Sequence, residues 1–440
     1  MNKAKGFLLR LRIESLLAFP SSFEYNHAVF LTTLTAQTVP TPTLRFIPEK
    51  QLQEIRTLFP HTSRGLLYLN HAATSPLSQR VFDSMKRHLE ERSEGKIETF
   101  LEDLPQIQKT RELVARLIHA ESADRIALMG NTSDAINTVV AGLPWATGDH
   151  ILINDMEFPA NVWPYLNLRS SGVELETIPC PDGMLTPEEV EMRIKPSTRL
   201  LAISAVQFLT GFRADLEALG SLCRDRNVLL VVDGIQAVGA VRIDVQSMKI
   251  DALAAGGQKW QMAPLGTGFL YVSEQLQERI HQKHLGWLSV KVPWDFFDYR
   301  QPLAESARRY EGGTLNVPGI WGMHAALSTL LENGIEAIEK HILALTQLLT
   351  DQLQSVDGVK LISPVSPERR AGIVTMELPR NVDAQSVFQS ISKHQAQIAL
   401  RDGKLRISPH FYNTPDEMNR IVDILKEALH EVAAAPSSTL

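Results

Sequence analysis

Cysteine is nearly absent: the 440 residues contain two, Cys180 and Cys223. Neither sits in a C-x-x-C pair or among clustered histidines, which argues against a disulfide framework and a structural zinc centre; no metal site is expected. The pattern reads as two reduced thiols in a cytoplasmic protein. Long apolar runs are also missing. Lys3 and Lys5 precede Phe7-Leu8-Leu9 in the manner of a signal peptide, but Arg10, Arg12 and Glu14 interrupt the run and no clean small-residue cleavage site follows. A second apolar patch, residues 28–34, is too short to span a bilayer. Residues 1–44 are read as an irregular extension, and no membrane partner is expected. Charge of one sign does not accumulate either. The net charge of -6 is spread among interspersed acids and bases, with no basic patch to engage nucleic acid. Neither a G-x-G-x-x-G after a strand nor a P-loop occurs, so a nicotinamide dehydrogenase would lack its phosphate-binding fingerprint.

What remains is an ordinary globular composition, 44% hydrophobic and 21% charged. From about Tyr68 short apolar runs alternate with amphipathic stretches. Strands are predicted at Ile126–Met129, His150–Asn154, Leu200–Ala205, Val228–Val232, Asp251–Ala255 and Phe269–Val272, and helices over Thr132–Val140 and Ala214–Arg226. Unbroken β-branched runs separated by helices indicate buried parallel strands in βαβ units, an α/β fold. After about Gly322 the pattern changes to a long helical region interrupted at Gly334. Strands near Val359–Ile362, Gly372–Leu378 and Ile398–Ile407 follow, then a closing helix. The helix starts at Thr186 and Thr414 each combine a cap, a proline and a capping-box glutamate. The expected division is an extension over 1–44, an N-terminal part of a small domain over 45–67, a large α/β domain over 68–322 and a small α+β domain over 323–440.

Two segments carry the chemistry. Val231-Val232-Asp233-Gly234-Ile235-Gln236 puts an acid at the carboxyl end of a predicted parallel strand, where open α/β sheets bind ligands. Gly256-Gly257-Gln258-Lys259-Trp260 puts a lysine at the end of the next strand, flanked by glycines that admit close backbone approach. A desolvated lysine is an amine nucleophile suited to an aldehyde. Gly130-Asn131-Thr132-Ser133-Asp134, between a strand and a helix, offers free N–H groups to an anion.

The segments VVDGIQAVG and GGQKW…GTGFLYV resemble those of the class V aminotransferase and cysteine desulfurase-like superfamily, from about Tyr68 to Leu425. The resemblance implies a fold-type I transferase dependent on pyridoxal phosphate, with a large, mostly parallel seven-stranded sheet. It implies that Lys259 holds the cofactor as a Schiff base and later serves as base. Asp233 then pairs with the ring nitrogen, Gln236 donates to the phenolic oxygen, and Thr132, Ser133 and Gln258 bind the phosphate. Phe158 stands where the stacking ring sits and where desulfurases carry histidine; Gln207 stands near a position often occupied by asparagine. Thr314, in Glu311–Asn316, is expected to reach the phosphate of a partner subunit, and Trp287 to line that shared site, implying a homodimer. Arg406 is expected to clamp the substrate carboxylate, an assignment suited to its planar fork. Asn70 and His71 are expected to close the other side of the pocket, although His71 reads equally well as a structural histidine.

Cysteine desulfurases need a nucleophilic cysteine on a loop before the carboxylate arginine; residues 395–404 contain none. Phe158, Gly256 and the short loop are more similar to the isopenicillin-N-epimerase-like and kynureninase-like branches. The expectation is a small-molecule amino-acid substrate and an aminotransferase-type reaction. The alternatives are a lyase acting on a C–S bond, an epimerase, or a cofactor-binding regulator without activity.

Overall fold

The computed structural model describes residues 44–96, 100–181 and 183–434. The predicted extension therefore lies, apart from Leu44, outside the described residues. A short strand, β1 (Leu67–Tyr68), precedes the large sheet. That sheet comprises β2 (Ile126–Met129), β3 (His150–Asn154), β4 (Glu174–Ile178), β5 (Thr198–Ser204), β6 (Leu229–Asp233), β7 (Ala252–Gly256) and β8 (Gly268–Val272). Its order is β2-β8-β7-β6-β5-β3-β4, and only β8 runs antiparallel to its neighbours.

Period-two alternation buries both faces. In β6, Leu230 and Val232 join one core, while Leu229 and Val231 join the other. β5 does the same, with Leu201 and Ile203 on one side and Leu200 and Ala202 on the other. No solvent-facing row remains in these strands, which is why they read as continuous apolar runs. Parallel registry then aligns their carboxyl ends: Ser204 of β5 lies beside Asp233 of β6, and Ala254 of β7 lies on the other side of Asp233.

The second sheet contains β9 (Lys360–Leu361), β10 (Val374–Glu377), β12 (Ala399–Arg401) and β13 (Lys404–Ile407), in the order β12-β13-β10-β9. Between them in sequence, β11 (Ala396–Gln397) pairs parallel with β1. The single strand predicted over Ile398–Ile407 is thus corrected to a hairpin. Asp402 and Gly403 form its two-residue turn, with φ of 49° and 69°. An Asp-Gly pair between apolar runs is a strong hairpin signal, and both residues adopt the left-handed conformation such a turn requires.

The cores do not follow chain order. Ile47, Leu52, Ile55 and Phe59 pack into the large core rather than the small one. So does the helix Val317–Asn333, through Ile320, Met323, Leu327 and Leu330. The next helix, Ile335–Leu353, spans both: Ile335, Ile338 and Ile342 face the large core, and Leu345, Leu349 and Leu353 face the small one. Apolar periodicity identifies a buried helix face but not which of two cores receives it. Both predicted capping boxes form, at Thr186 with Glu189 and at Thr414 with Glu417.

Three fully buried histidines tie the seam between the N-terminal segment, the Lys259 loop and the small-domain edge. His71 Nδ1 donates to the Ser408 carbonyl (2.8 Å), which leaves Nε2 to accept from the Tyr412 hydroxyl (2.7 Å). His410 Nδ1 accepts from Phe411 N–H, so Nε2 donates to the Trp260 carbonyl (2.9 Å). His341 Nδ1 accepts from Ile47 N–H while Nε2 donates to the Asn413 carbonyl. A second ring proton on His410 or His341 would face an N–H donor. Burial holds all three below the usual histidine range, His410 down to about 4. Their contribution to stability is complete above pH 6.5 and is lost as pH falls, because only the unfolded chain then takes the protons. Between pH 6.5 and 4, His410 alone is worth roughly 3 kcal/mol. Urea midpoints should fall steadily from pH 7 to pH 5, and His410→Gln should flatten that slope by about one proton. An unchanged slope in the variant would contradict the assignment.

Candidate active site

The site is assembled at the carboxyl ends of β5, β6 and β7. Asp233 is buried, and its carboxylate accepts from Ile235 N–H at 2.9 Å. Lys259 follows β7 in a turn pinned by Ser75, whose N–H donates to the Gln258 carbonyl and whose hydroxyl donates to the Lys259 carbonyl. Burial pushes the Lys259 amine down and the Asp233 carboxyl up, while their mutual attraction opposes both shifts. Arg406 and Arg401 depress the amine further. A half-buried amine and a buried acid that sense each other at adjacent strand ends are the centre of the site.

Phe158 lies against the amine, with Lys259 Nζ 5.6 Å from the ring centroid. Phe208 meets Phe158 edge to face at 5.3 Å. Arg406, 2% exposed, donates from Nη1 to the Phe208 carbonyl at 2.6 Å, and its Nε is buried without a hydrogen-bond partner. Burial and the Arg401 charge lower its pKa to about 10. No carboxylate of the described residues forms an ion pair with Arg406. A desolvated guanidinium in that condition is a receptor for an anion.

The helix Thr132–Gly142 begins beside the lysine loop, capped by Asn131, whose side chain accepts from Asp134 N–H. Thr132 Oγ1 accepts from Gly256 N–H at 2.9 Å, fastening the helix start to β7. A Cβ at Gly256 would stand 2.6 Å from Gln258 Oε1 and 3.3 Å from Thr132 Oγ1. Gln258 therefore fills the space over Gly256 that a side chain there would enter. Ser133 is exposed and lines an open cavity with Asn137, Phe158 and Trp163.

Several expected site residues have other engagements. Gln236 donates to the Ala72 carbonyl and accepts from the Trp260 indole, leaving one amide hydrogen. Gln207 accepts from Leu209 and Thr210 N–H and donates to the Met156 carbonyl, so it holds its own turn together. His71 is saturated in the seam, which favours the structural reading. Asn70 keeps a buried, unpartnered Oδ1. Thr314 is exposed and, within its own chain, lines a cavity of about 270 Å³ with Gly130, Gly266 and Asn316. Trp287 packs edge-on against Trp294 in an exposed aromatic cluster that continues to Phe296. Neither residue is brought to Lys259 of the same chain by a described contact.

Sequence reasoning gave no role to Glu157. It is buried beside Phe158 and accepts four hydrogen bonds: from Asn154 Nδ2 (2.6 Å), Asn161 Nδ2 (3.0 Å), Ser204 N–H (2.8 Å) and the Ser204 hydroxyl (2.5 Å). An acid three residues past the end of β3, beside the candidate stacking ring, was the available signal.

The model of the aminotransferase class-V family matches residues 67–419. The chain belongs to that family. Among curated class V relatives, a probable cysteine desulfurase of Methanothermobacter thermautotrophicus is 30% identical over 392 residues, covering 84% of this chain and 95% of that one. An uncharacterised aminotransferase of Bacillus subtilis is 28% identical over 391 residues, covering 88% and 100%. Among solved structures, an apo cysteine desulfurase from Thermococcus onnurineus NA1 superposes with a TM-score of 0.79 at 25% identity, covering 86% and 98%. A cystine C–S lyase in complex with its product cysteine persulfide does so with a TM-score of 0.77 at 22% identity, covering 84% and 99%, a likeness of fold.

This class V chain departs from the desulfurases it resembles where their chemistry needs a thiol. The segment before Arg406 is the tight Asp402-Gly403 hairpin, with no cysteine. Cys180 and Cys223 are buried, and burial pushes each thiol up to about 12. Neither is a thiolate near neutral pH. Among the described residues no cluster is placed to hold a metal ion, and no helix is long and apolar enough to cross a membrane.

Proposed function

We propose that this protein is a pyridoxal phosphate-dependent enzyme that transaminates an α-amino acid. The observation that carries the reading is the grouping of Lys259, Asp233 and the unpaired, buried Arg406 around one strand-end site. The residues fit the cofactor. Lys259 offers an amine for its aldehyde, Asp233 an acid for its ring nitrogen, and Phe158 a ring for its face. Thr132, Ser133 and the helix start, with Gln258, offer donors for its phosphate. Once bound, pyridoxal phosphate supplies an electron sink that acidifies the substrate α-proton.

The chain's own residues do the rest. Arg406 binds the substrate carboxylate and sets which bond of the α-carbon stands toward Lys259. Lys259, depressed by burial and by Arg406, holds a usable fraction of neutral amine and takes the α-proton. Asp233 holds a proton on the ring nitrogen. With no thiol in reach, the chain offers no acceptor for a substrate sulfur, which turns the reading away from an enzyme-bound persulfide. The exposed Trp287, Trp294, Phe296, Phe297 and Tyr299 form an aromatic surface suited to a second copy of this chain. With Thr314 it supports a homodimer with shared sites.

Incubating the holoenzyme with a panel of α-amino acids and a keto acid should exchange amino groups, seen as a new amino acid by mass spectrometry. Ammonia or a cleaved side chain without exchange would instead establish a lyase, and loss of optical purity alone an epimerase.

A further inference from the structure

Asp233 is one of two buried carboxylates in this region. Glu157 accepts from the backbone N–H and the hydroxyl of Ser204, the residue that lies beside Asp233 in the sheet register. Its remaining acceptor positions are filled by Asn154 and Asn161. The four donors come from three separate segments, and none of them is a cation. Burial pushes the Glu157 carboxyl up, and these four hydrogen bonds oppose that shift and favour the anion without bringing a neutralising charge. The Asp233 carboxyl responds to that charge, which opposes its ionisation, and the Tyr165 hydroxyl responds to both acids.

We propose that Glu157 is a positioning residue that stands a second negative charge behind Asp233, so that two acids rather than one fix the proton on the cofactor's ring nitrogen. This rests on the pyridoxal phosphate reading. Two like charges in a low-dielectric site repel, and a cation seated on Asp233 relieves that repulsion. Glu157 thereby strengthens the hold on a protonated ring without touching it. The same four hydrogen bonds fasten the segment that carries Phe158 to the ends of β3 and β5, which sets the ring beside Lys259.

Glu157→Gln tests the charge with little change in shape. Asn161 Oδ1 is buried without a partner, so a turned Asn161 amide can accept from the new glutamine amide. Pyridoxal phosphate binding to the full-length protein is measured by equilibrium dialysis, beside its analogue with carbon in place of the ring nitrogen. The variant should bind pyridoxal phosphate roughly tenfold more weakly, the equivalent of one pKa unit, and the analogue as the unmodified protein does. Ser204→Ala, which removes one donor and leaves the charge, should keep the unmodified ratio of the two affinities. Equal weakening toward both ligands, or no weakening, would overturn the proposal by reducing Glu157 to a clamp. If the unmodified protein binds neither ligand, the cofactor reading falls and the proposal falls with it.

Discussion

Lys259→Ala should reduce turnover of any α-amino acid by on the order of 10⁴-fold, the upper range for loss of a positioned base. The side chain has two roles, attachment to the cofactor and movement of the α-proton, and no other described lysine senses Asp233 and lies over Phe158. The variant should also fail to keep pyridoxal phosphate through denaturation after borohydride treatment. Its fold should survive, because Lys259 makes no side-chain hydrogen bond that ties distant elements, whereas its own carbonyl and that of Gln258 hold Ser75. Steady-state rates with and without added methylamine check the second role. Partial rescue by the added amine would identify the missing group as a base.

Arg406→Ala should raise KM for an α-amino acid roughly 30-fold while leaving cofactor retention nearly unchanged. The estimate takes about 2 kcal/mol for hydrogen bonds from a charged donor to the substrate carboxylate. Arg406→Lys keeps the charge but not the fork, so its KM should stay well above that of the unmodified enzyme. A second consequence follows from electrostatics. Arg406 lowers the pKa of Lys259, so removing it should move the alkaline rise in activity to higher pH. Measured pH profiles check the sign. If Arg406→Ala changed neither KM nor the profile, the arginine would not be the carboxylate receptor.

Much of the fold was legible because a sheet buried on both faces writes itself as unbroken apolar runs, as in Val228–Val232. The hairpin before Arg406 was missed because the apolar run was followed through Asp402-Gly403, although that pair demands left-handed backbone. The sharing of the helix Ile335–Leu353 between two cores was not legible, because it presents one continuous apolar face to both. In the site, Asp233 and Lys259 stood out because each follows an apolar strand whose end must lie at the ligand face. His71 and Gln207 were less readable. Saturation of the His71 ring by Ser408 and Tyr412 involves partners 337 and 341 positions away. Gln207 is filled by its own turn, which resembles a free polar residue until the backbone is traced. Glu157 was hidden for the same reason: donors from Asn154, Asn161 and Ser204 convert what reads as a surface acid into a buried one.

The names of curated relatives point toward sulfur transfer, and the residues before Arg406 point away from it. The difference is physical. A persulfide must form on a thiolate that reaches the substrate, and both thiols here are buried and held protonated. Chemistry confined to the substrate carbon needs only an amine, an acid and a carboxylate receptor, and those are the groups gathered at the strand ends.

The central claim is that the Lys259 amine carries pyridoxal phosphate with Asp233 at the far side of its ring. Borohydride reduction of the protein loaded with pyridoxal phosphate, followed by peptide mass spectrometry, tests it directly. The account predicts one phosphopyridoxyl group per chain, on the peptide containing Lys259. Labelling of a different lysine, or scattered labelling of surface lysines with Lys259 unmodified, would contradict it.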